Sequence, residues 1–303
     1  MRKFSFITYL DYAVYLFVRV FICVIQSLRM ETCQSLSKGL AVLVTDILGV
    51  RYKLADENLR HSFPELSDKE RCGLIRRMWE HLFLLVAEVA HCPRKVRETN
   101  WRKHIHLHNV DAIHQMLCVD RPMILVTGHF GNFEIGGYLL GLLGYPTFTV
   151  ARKLDNPYLN DFVEEFRGMT GQFILSKNDG PDPIIAVLER NDTMAFLADQ
   201  SAGSRGCRVV FFGRQASAYK AIALLSLQYK APIVVCYATR RIDGRPLSFE
   251  MHVSGMFDPL EATPGQEDIK KITQWYTTLL EEGIRQHPDQ YWWIHNRWKS
   301  TGR

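Results

Sequence analysis

The sequence predicts an α/β protein with a mixed, largely parallel sheet flanked by helices, preceded by an N-terminal membrane-associated helix. Three observations predict this class. From Trp101 onward, short apolar runs alternate with helical patterns, as in proteins that link parallel strands through helices. Met123 to Val126 is a continuous apolar run, which is typical of a strand buried on both faces. Residues 4–28 are rich in aromatic and aliphatic side chains, as expected of a helix in contact with lipid.

The first element is therefore a long apolar helix over residues 4–28. At about 1.5 Å per residue, such a helix can cross a hydrocarbon core of about 30 Å. Asp11 and Arg19 interrupt it and no small-residue cleavage site follows, so it is not typical of a cleaved signal peptide. The helix either spans the membrane or lies in its interface, and an amphipathic core helix is the third interpretation. We expect an anchor in residues 1–30 and a second domain in residues 31–303.

Further helices and strands follow in order. Arg51 to Pro93 shows helical periodicity, and Ser67 to Glu70 has the S-x-x-E spacing of a capping box. The strand candidates are Ile105 to Val110, Met123 to Thr127, Thr147 to Ala151, Phe173 to Leu175, Thr193 to Leu197, Val209 to Phe211 and Pro232 to Ala238. The Pro- and Gly-rich stretch from Asp258 to Gly265 predicts a loop before a final helix from Gln266 to His287.

Composition and missing motifs narrow the function classes. The hydrophobic content of 47% is sufficient for one large domain or two small ones. The net charge of +5 suits anionic lipid headgroups, an acidic carrier protein or nucleic acid equally well. The seven cysteines form no C-x-x-C pair, which argues against a disulfide framework or a zinc finger. Neither G-x-S-x-G nor G-x-G-x-x-G occurs, so serine hydrolases and dinucleotide oxidoreductases lose their main support.

The candidate active site is the turn G-H-F-G-N-F-E, which begins at Gly128 directly after an apolar strand candidate. Ligands of open α/β sheets gather at such strand ends. His129 and Glu134 are five residues apart, which is about 140° on an ideal helix, so the turn must bring them together. Glu134 would then accept one imidazole N–H and leave the other nitrogen as a base towards a hydroxyl. The alternative is that His129 only forms hydrogen bonds with the local backbone, and that Glu134 lies at a helix N-terminus because the helix dipole favours a negative charge there.

Three alternating histidines, His104, His106 and His108, are the candidate metal ligands. Residues with this spacing share one face of a strand, and three imidazoles can hold zinc. Ile105 and Leu107 supply the opposite, apolar face, so we interpret the segment as a surface strand whose polar side is histidine. We expect neither a metal nor another cofactor.

The turn G-H-F-G-N-F-E resembles the H-x4-D/E signature of glycerolipid acyltransferases, in the form found in lipid A late acyltransferases, the lauroyl and myristoyl transferases of Gram-negative bacteria. Three further stretches follow in the order of that family: Ala151 to Pro157 (A-R-K-L-D-N-P), Leu197 to Gly213 (L-A-D-Q-S, then V-V-F-F-G) and Pro288 to Lys299 (P-D-Q-Y-W-W-I-H-N-R-W-K). The resemblance implies transfer of a fatty acyl chain from an acyl carrier protein thioester to a hydroxyl of a membrane-bound, phosphorylated glycolipid such as a lipid A precursor. It also implies a bacterial inner-membrane protein with its catalytic domain on the cytoplasmic side. His129 would be the general base and Glu134 its orienting carboxylate.

Four further residues are candidates for substrate binding. Arg152 and Lys153 follow a strand candidate and are expected on the same rim as the proposed base. A guanidinium suits phosphate, and the resemblance assigns the phosphorylated substrate to Arg152; a solvated loop charge is the alternative. Asn132 lies within the turn, and Asp199 follows the strand candidate that ends at Leu197, where it would orient a basic group or shape the site.

Two departures from the family pattern concern the acceptor. Phe133 stands where these enzymes often have tryptophan, and D-Q-S at Asp199 to Ser201 replaces a more variable tripeptide. Transfer to another bacterial glycolipid or a lipoamino acid is therefore the alternative with the same chemistry. A catalytically silent lipid-binding membrane protein is the alternative from another class. The aromatic C-terminal segment suits a membrane interface, an acyl groove or a core, and without a basic stripe or an RNP-like motif we expect no nucleic acid partner.

Overall fold

The computed structural model describes residues 6–108, 120–241, 245–263 and 265–298, with side chains from Tyr9 onward. The α-helices of these residues are α1 (Phe6–Ser27), α2 (Met30–Val42), α3 (Tyr52–Ser62), α4 (Asp68–Lys95), α5 (Phe133–Leu142), α6 (Pro157–Gly168), α7 (Asp182–Glu189), α8 (Ala221–Tyr229) and α9 (Ile269–Gln286). The strands are β1 (Ile105–His108), β2 (Met123–Thr127), β3 (Thr147–Ala151), β4 (Gln172–Ser176), β5 (Thr193–Leu197), β6 (Cys207–Phe211), β7 (Arg214–Ala218), β8 (Ile233–Arg240) and β9 (Phe249–Phe257).

The main sheet has the strand order β1-β9-β8-β2-β5-β3-β4. Strands β8, β2, β5, β3 and β4 run parallel to one another. Strand β9 is antiparallel to β8, and the edge strand β1 is parallel to β9. Strands β6 and β7 form a separate antiparallel pair. The predicted fold class, a mixed and largely parallel sheet flanked by helices, is confirmed.

Strand β2 lies at the centre of the sheet because its side chains are apolar on both faces. Met123, Ile124, Leu125 and Val126 are each at most 4% exposed. Strands β2 and β5 are paired in parallel, with Thr127 opposite Leu197 at their carboxyl ends. The residues that follow the two strands therefore emerge at the same edge of the sheet. This register determines where the candidate site lies.

Helix α4 begins with the capping box that the sequence predicts. The Ser67 hydroxyl accepts a hydrogen bond from the Glu70 backbone N–H at 3.4 Å, and the Glu70 carboxylate accepts one from the Ser67 backbone N–H at 2.8 Å. Leu74, Ile75 and Met78 on the buried face of the helix are at most 5% exposed. Helix α4 packs against the three helices that precede it, α1, α2 and α3.

The N-terminal helix has the length and composition expected from the sequence. Its stretch Tyr9–Ser27 is 19 residues long and has a mean hydropathy of 1.6, and none of its residues is buried in the protein. By length and composition it could therefore cross a membrane. Hydrogen bonds tie it to later parts of the chain: Gln26 donates to the Ala90 carbonyl oxygen at 2.7 Å, and Asn156 donates to that of Asp11 at 2.8 Å. The division at residue 30 remains a prediction.

The structure has strands at both of the predicted stretches 105–110 and 209–211. The candidate over residues 105–110 is a strand as far as His108, and residues 109 and 110 lie outside the described part of the chain. The run 209–211 is a strand as predicted, and it belongs to the hairpin β6–β7. Strand β9 was not among the candidates, although its segment F-E-M-H-V alternates apolar and polar residues.

The three alternating histidines do not act as one group. His104 precedes β1, and its ring Nδ1 lies 2.9 Å from the Leu247 carbonyl oxygen. His108 instead stacks on His252, with ring centroids 4.9 Å apart. Among the described residues, no three or more His, Cys, Asp or Glu side chains are arranged to hold a metal ion.

Candidate active site

His129 lies two residues beyond the carboxyl end of β2, and Asp199 lies two residues beyond that of β5. The parallel register brings them together, and His129 Nδ1 is 3.0 Å from Asp199 Oδ1. The imidazole ring is held edge to face between Phe133 and Trp292, at centroid distances of 5.3 and 5.0 Å. The ring is therefore fixed on three sides.

The carboxyl group of Asp199 is ionised although its side chain is only 2% exposed. Burial alone would raise its pKa, but the charge and hydrogen bond of His129, together with backbone N–H groups, outweigh burial and hold the pKa below its usual value. An ionised carboxylate accepts the Nδ1–H of the imidazole, so the tautomer with a free Nε2 is favoured. The pair therefore has the arrangement of a general base and its orienting carboxylate.

The sequence predicted a contact between Glu134 and His129, but in the structure the carboxylate next to His129 is that of Asp199. Glu134 lies in the first turn of α5 and faces α6, where Arg167 binds both of its carboxylate oxygens; Arg167 Nε is 3.1 Å from Oε2. Both members of this ion pair line the same cavity as His129. The helix direction set by the turn explains the difference, because it points Glu134 towards α6 instead of back along the turn.

The turn itself is held by backbone contacts that admit only glycine at its centre. Gly131 has φ +60°, and a Cβ atom there would lie 2.0 Å from the Ala238 carbonyl oxygen. Asn132 is fully buried: its Oδ1 accepts from the Ile135 N–H as the cap of α5, and its Nδ2 donates to Glu88. Both ends of this amide are thus engaged within the protein, and the expected contact of Asn132 with substrate stays a prediction.

A buried polar network supports the turn from behind. Arg240 of β8 donates two hydrogen bonds to the carboxylate of Glu88, at 2.6 and 2.7 Å, and a third to His81 Nδ1 at 2.6 Å. His81 must therefore carry its proton on Nε2, from which it donates to the Gly131 carbonyl oxygen at 3.1 Å. Burial and the nearby Arg240 hold the pKa of His81 well below its usual value of 6.5. His81 and Glu88 are seven residues apart on α4 and so share one face of that helix.

An apolar cavity of about 640 Å³ opens beside His129. It extends from the carboxyl ends of the strands, marked by Thr127 and Ala151, to the amino ends of β3 and β4, marked by Thr147 and Gln172. Its apolar lining comes from the sheet and from α5 and includes Leu107, Leu125, Leu139, Leu140, Val150, Ile174 and Ala195. A cavity of this shape suits an extended hydrocarbon chain whose reactive end lies at His129.

The predicted basic residues lie at different places on the rim. Arg152 lines the cavity, and its guanidinium is 2.7 Å from Asp155, an exposed carboxylate. Lys153 is exposed and is not among the residues that line the cavity. Lys177, in the short helical turn after β4, also lines the cavity and adds a cation to those of Arg152 and Arg167. A substrate contact of Arg152 or Lys153 remains a prediction.

Gln200 is a site residue that the sequence analysis did not select. Its side-chain Nε2 lies 3.4 Å from His129 Nδ1 and 3.5 Å from His129 Nε2, and it lines the cavity. The only feature of the sequence that pointed to Gln200 was its place in D-Q-S, where the chain departs from the family pattern. Arg167 and Arg240 were also missed, because each meets its partner across at least 33 residues of chain. His81 and Glu88 did carry a signal, since they are polar residues on the apolar face of a helix.

Comparison with known proteins identifies the family of this chain. The family model for the bacterial lipid A biosynthesis acyltransferase matches residues 2–300. The lipid A biosynthesis lauroyltransferase of Escherichia coli is 25% identical over 267 residues, which are 86% of this chain and 83% of that protein. The lipid A biosynthesis palmitoleoyltransferase of Escherichia coli is 22% identical over 270 residues, which are 88% of this chain and 84% of that protein.

Among solved structures, the 1-acyl-sn-glycerophosphate acyltransferase PlsC of Thermotoga maritima aligns over 86% of this chain and 99% of its own, at 13% identity. Its TM-score of 0.38 is too low to bear on fold or function. The family match, in contrast, extends over nearly the whole chain. The chain therefore belongs to the bacterial lipid A biosynthesis acyltransferase family, and it is an acyltransferase of lipopolysaccharide biosynthesis.

Proposed function

We propose that this protein transfers a fatty acyl chain from an acyl carrier protein thioester to a hydroxyl group of a phosphorylated lipid A precursor. The observation that carries the proposal is the His129–Asp199 pair at the end of an apolar cavity. The cavity would hold the acyl chain, and the thioester carbonyl would lie at its mouth. His129 Nε2 faces that position because Nδ1 is bonded to Asp199.

The chemistry follows from this arrangement. His129 Nε2 takes the proton of the acceptor hydroxyl while its oxygen attacks the thioester carbonyl carbon, and Asp199 stabilises the imidazolium that forms. The carbon–sulfur bond then breaks, and the thiolate takes the proton from the imidazolium. No acyl-enzyme is formed. The base contributes about 10² to 10⁴ in rate, which is roughly 3 to 5.5 kcal/mol of barrier.

Glu134 and Arg167 take a different role from the one that the spacing of the turn suggested. Their ion pair lies in the cavity wall beside the base, with side chains 18% and 27% exposed. It would contact the acceptor and hold its hydroxyl towards His129. Arg152 and Lys177, which also line the cavity, provide cations for the phosphate groups of the acceptor.

The position of α1 supports a membrane-associated enzyme. The Asn156 side chain, which bonds the backbone of Asp11, lies four residues beyond Arg152, so the beginning of α1 is close to the rim of the site. A lipid acceptor would reach the cavity from the membrane that holds α1, and the carrier protein would approach from the cytoplasm. We therefore place the enzyme at the bacterial inner membrane with its catalytic domain, residues 31–303, on the cytoplasmic side.

The test uses full-length protein in detergent with acyl carrier protein charged with C12, C14 or C16 chains and a lipid A precursor. Product is measured by mass spectrometry for wild type, His129→Ala and the control His106→Ala, which removes a histidine from the edge strand β1. We expect the first variant to lose at least about 10² in turnover and the control to match wild type. The C12, C14 and C16 series also reads out the preferred chain length.

Each outcome bears on the proposal. Near-normal turnover by His129→Ala would refute the assignment of the base. Turnover only with other bacterial glycolipids or lipoamino acids would keep the chemistry and change the acceptor. Wild-type protein that consumed no thioester with any of these lipids would favour a silent lipid-binding protein.

A further inference from the structure

We propose that Gln200 is a further catalytic residue, whose side-chain amide donates a hydrogen bond to the carbonyl oxygen of the thioester as that oxygen becomes negatively charged. The proposal rests on the acyl transfer proposed above. Attack by the acceptor oxygen forms a new carbon–oxygen bond and moves the carbonyl π electrons onto the carbonyl oxygen. The oxyanion returns those electrons when the carbon–sulfur bond breaks. A preorganised N–H donor at that oxygen stabilises the transition state more than the ground state.

The position of the Gln200 amide leaves its N–H groups available for a ligand. Its Nε2 is almost equidistant from the two ring nitrogens of His129, at 3.4 and 3.5 Å. The in-plane lone pair of either nitrogen points away from the other, so an atom equidistant from both lies over the ring and not along a lone pair. Moreover, Nδ1 already donates to Asp199. The amide is therefore held against the imidazole without blocking the Nε2 lone pair that the reaction needs.

The place of Gln200 in the cavity matches that of the reacting carbonyl. Gln200 and His129 both line the cavity, and the two nitrogen atoms that would act, the amide and the base, are 3.5 Å apart. A carbonyl group whose carbon lies near His129 Nε2 has its oxygen within reach of an amide at that distance. One residue therefore supplies a donor for the oxyanion directly beside the proton acceptor.

Two other polar groups of the wall, those of Asn132 and Arg167, are already engaged. The Asn132 amide caps α5 with its oxygen and bonds Glu88 with its nitrogen. The Arg167 guanidinium binds both carboxylate oxygens of Glu134. Among the described contacts, those of the Gln200 side chain are to His129 alone. Gln200 is therefore the cavity amide best placed to change its partner when substrate enters.

The test compares wild type with Gln200→Met and Gln200→Ala in the detergent assay with charged carrier protein and lipid A precursor. Methionine keeps the length of the side chain and removes the N–H donors; alanine removes the whole group. Gln228→Met on α8 is the matched control, because Gln228 is exposed on a helix and is not among the residues that line the cavity. Loss of one oxyanion donor lowers kcat by about 10² to 10³, with KM for both substrates nearly unchanged.

A second measurement separates this role from mere support of the ring. If Gln200 only positioned His129, its variants would shift the acidic limb of the pH–rate profile and change the rate at which diethyl pyrocarbonate modifies His129. We expect both to match wild type while kcat falls. A shifted limb, a changed modification rate, or a kcat within threefold of wild type in both variants would overturn the proposal. Wild-type protein that is inactive on every lipid would instead refute the proposed function, so the two failures are distinguishable.

Discussion

Replacing Asp199 by asparagine tests which carboxylate serves the base. The substitution keeps the shape of the side chain and removes the charge that lies 3.0 Å from His129 Nδ1. At that distance and an effective dielectric of about 20, the attraction between imidazolium and carboxylate is about 5.5 kcal/mol, which is the upper limit of the effect. A hydrogen bond to a charged group contributes about 1.5 to 3 kcal/mol, which is the lower limit. Turnover should therefore fall by between about 10-fold and 10⁴-fold.

The assay is the single-turnover rate of acyl transfer from charged carrier protein, measured with both substrates saturating. Asp192→Asn is the matched control, because Asp192 precedes β5 at its amino end whereas Asp199 follows it at the carboxyl end. Glu134→Gln is measured in parallel. If Asp199→Asn kept a rate within threefold of wild type while Glu134→Gln shifted the acidic limb of the pH–rate profile, the role of Asp199 would be refuted and Glu134 would be the orienting carboxylate.

Three further predictions concern the turn and the polar network behind it. Burial and Arg240 hold the pKa of His81 well below 6.5, so just below pH 6.5 only the unfolded chain binds a proton at this residue. His81 therefore makes the free energy of unfolding fall by about 1.4 kcal/mol for each pH unit below that pH. We expect His81→Gln to lessen this slope by the same amount, measured by urea titrations between pH 7 and 5.5. Equal slopes would contradict the assignment. Arg240→Met leaves the carboxylate of Glu88 buried without its cation and should lower the free energy of unfolding by about 3 to 5 kcal/mol, measured by chemical denaturation in detergent. A loss below about 1 kcal/mol would show that the Arg240–Glu88 pair is not the main support of the turn. Gly131→Ala forces a side chain into the left-handed region against the Ala238 carbonyl and should cost at least roughly 1 to 3 kcal/mol with loss of turnover, whereas Gly73→Ala in α4, where the nearest atom is 3.6 Å away, should cost neither.

The fold could be predicted from the sequence because its signals are local. The apolar run of β2, the S-x-x-E cap of α4 and the long apolar N-terminal segment each occupy neighbouring residues, and each is confirmed in the structure. The missed strand β9 carried a period-2 pattern of the same kind. A local pattern predicts a strand but does not say which partner the strand pairs with, and β6 pairs with β7 outside the main sheet.

The site could be predicted only in part because its contacts are not local. The spacing of the turn identified His129, but its partner Asp199 lies 70 residues away and reaches it through the parallel register of β2 and β5. Glu134 was expected to orient His129 because it lies in the same turn, at the spacing of the H-x4-D/E signature. The partner of Glu134 is Arg167, which belongs to α6. Helix α6 was not among the elements predicted from the sequence. Proximity along the chain was a poor guide to proximity in space.

The turn that carries His129 is held by residues that lie about 160 positions later in the sequence. Phe130 forms a backbone bridge with Tyr291, and the Trp292 N–H donates to the His129 carbonyl oxygen at 3.1 Å. Asn58 in turn holds the Trp293 carbonyl oxygen at 2.7 Å, which fixes the late segment against α3. A ribosome therefore releases α1 well before it releases the residues that hold this turn in place. A chain still in synthesis lacks this support for the turn of His129 until Tyr291 and Trp292 have been made and can fold back onto it.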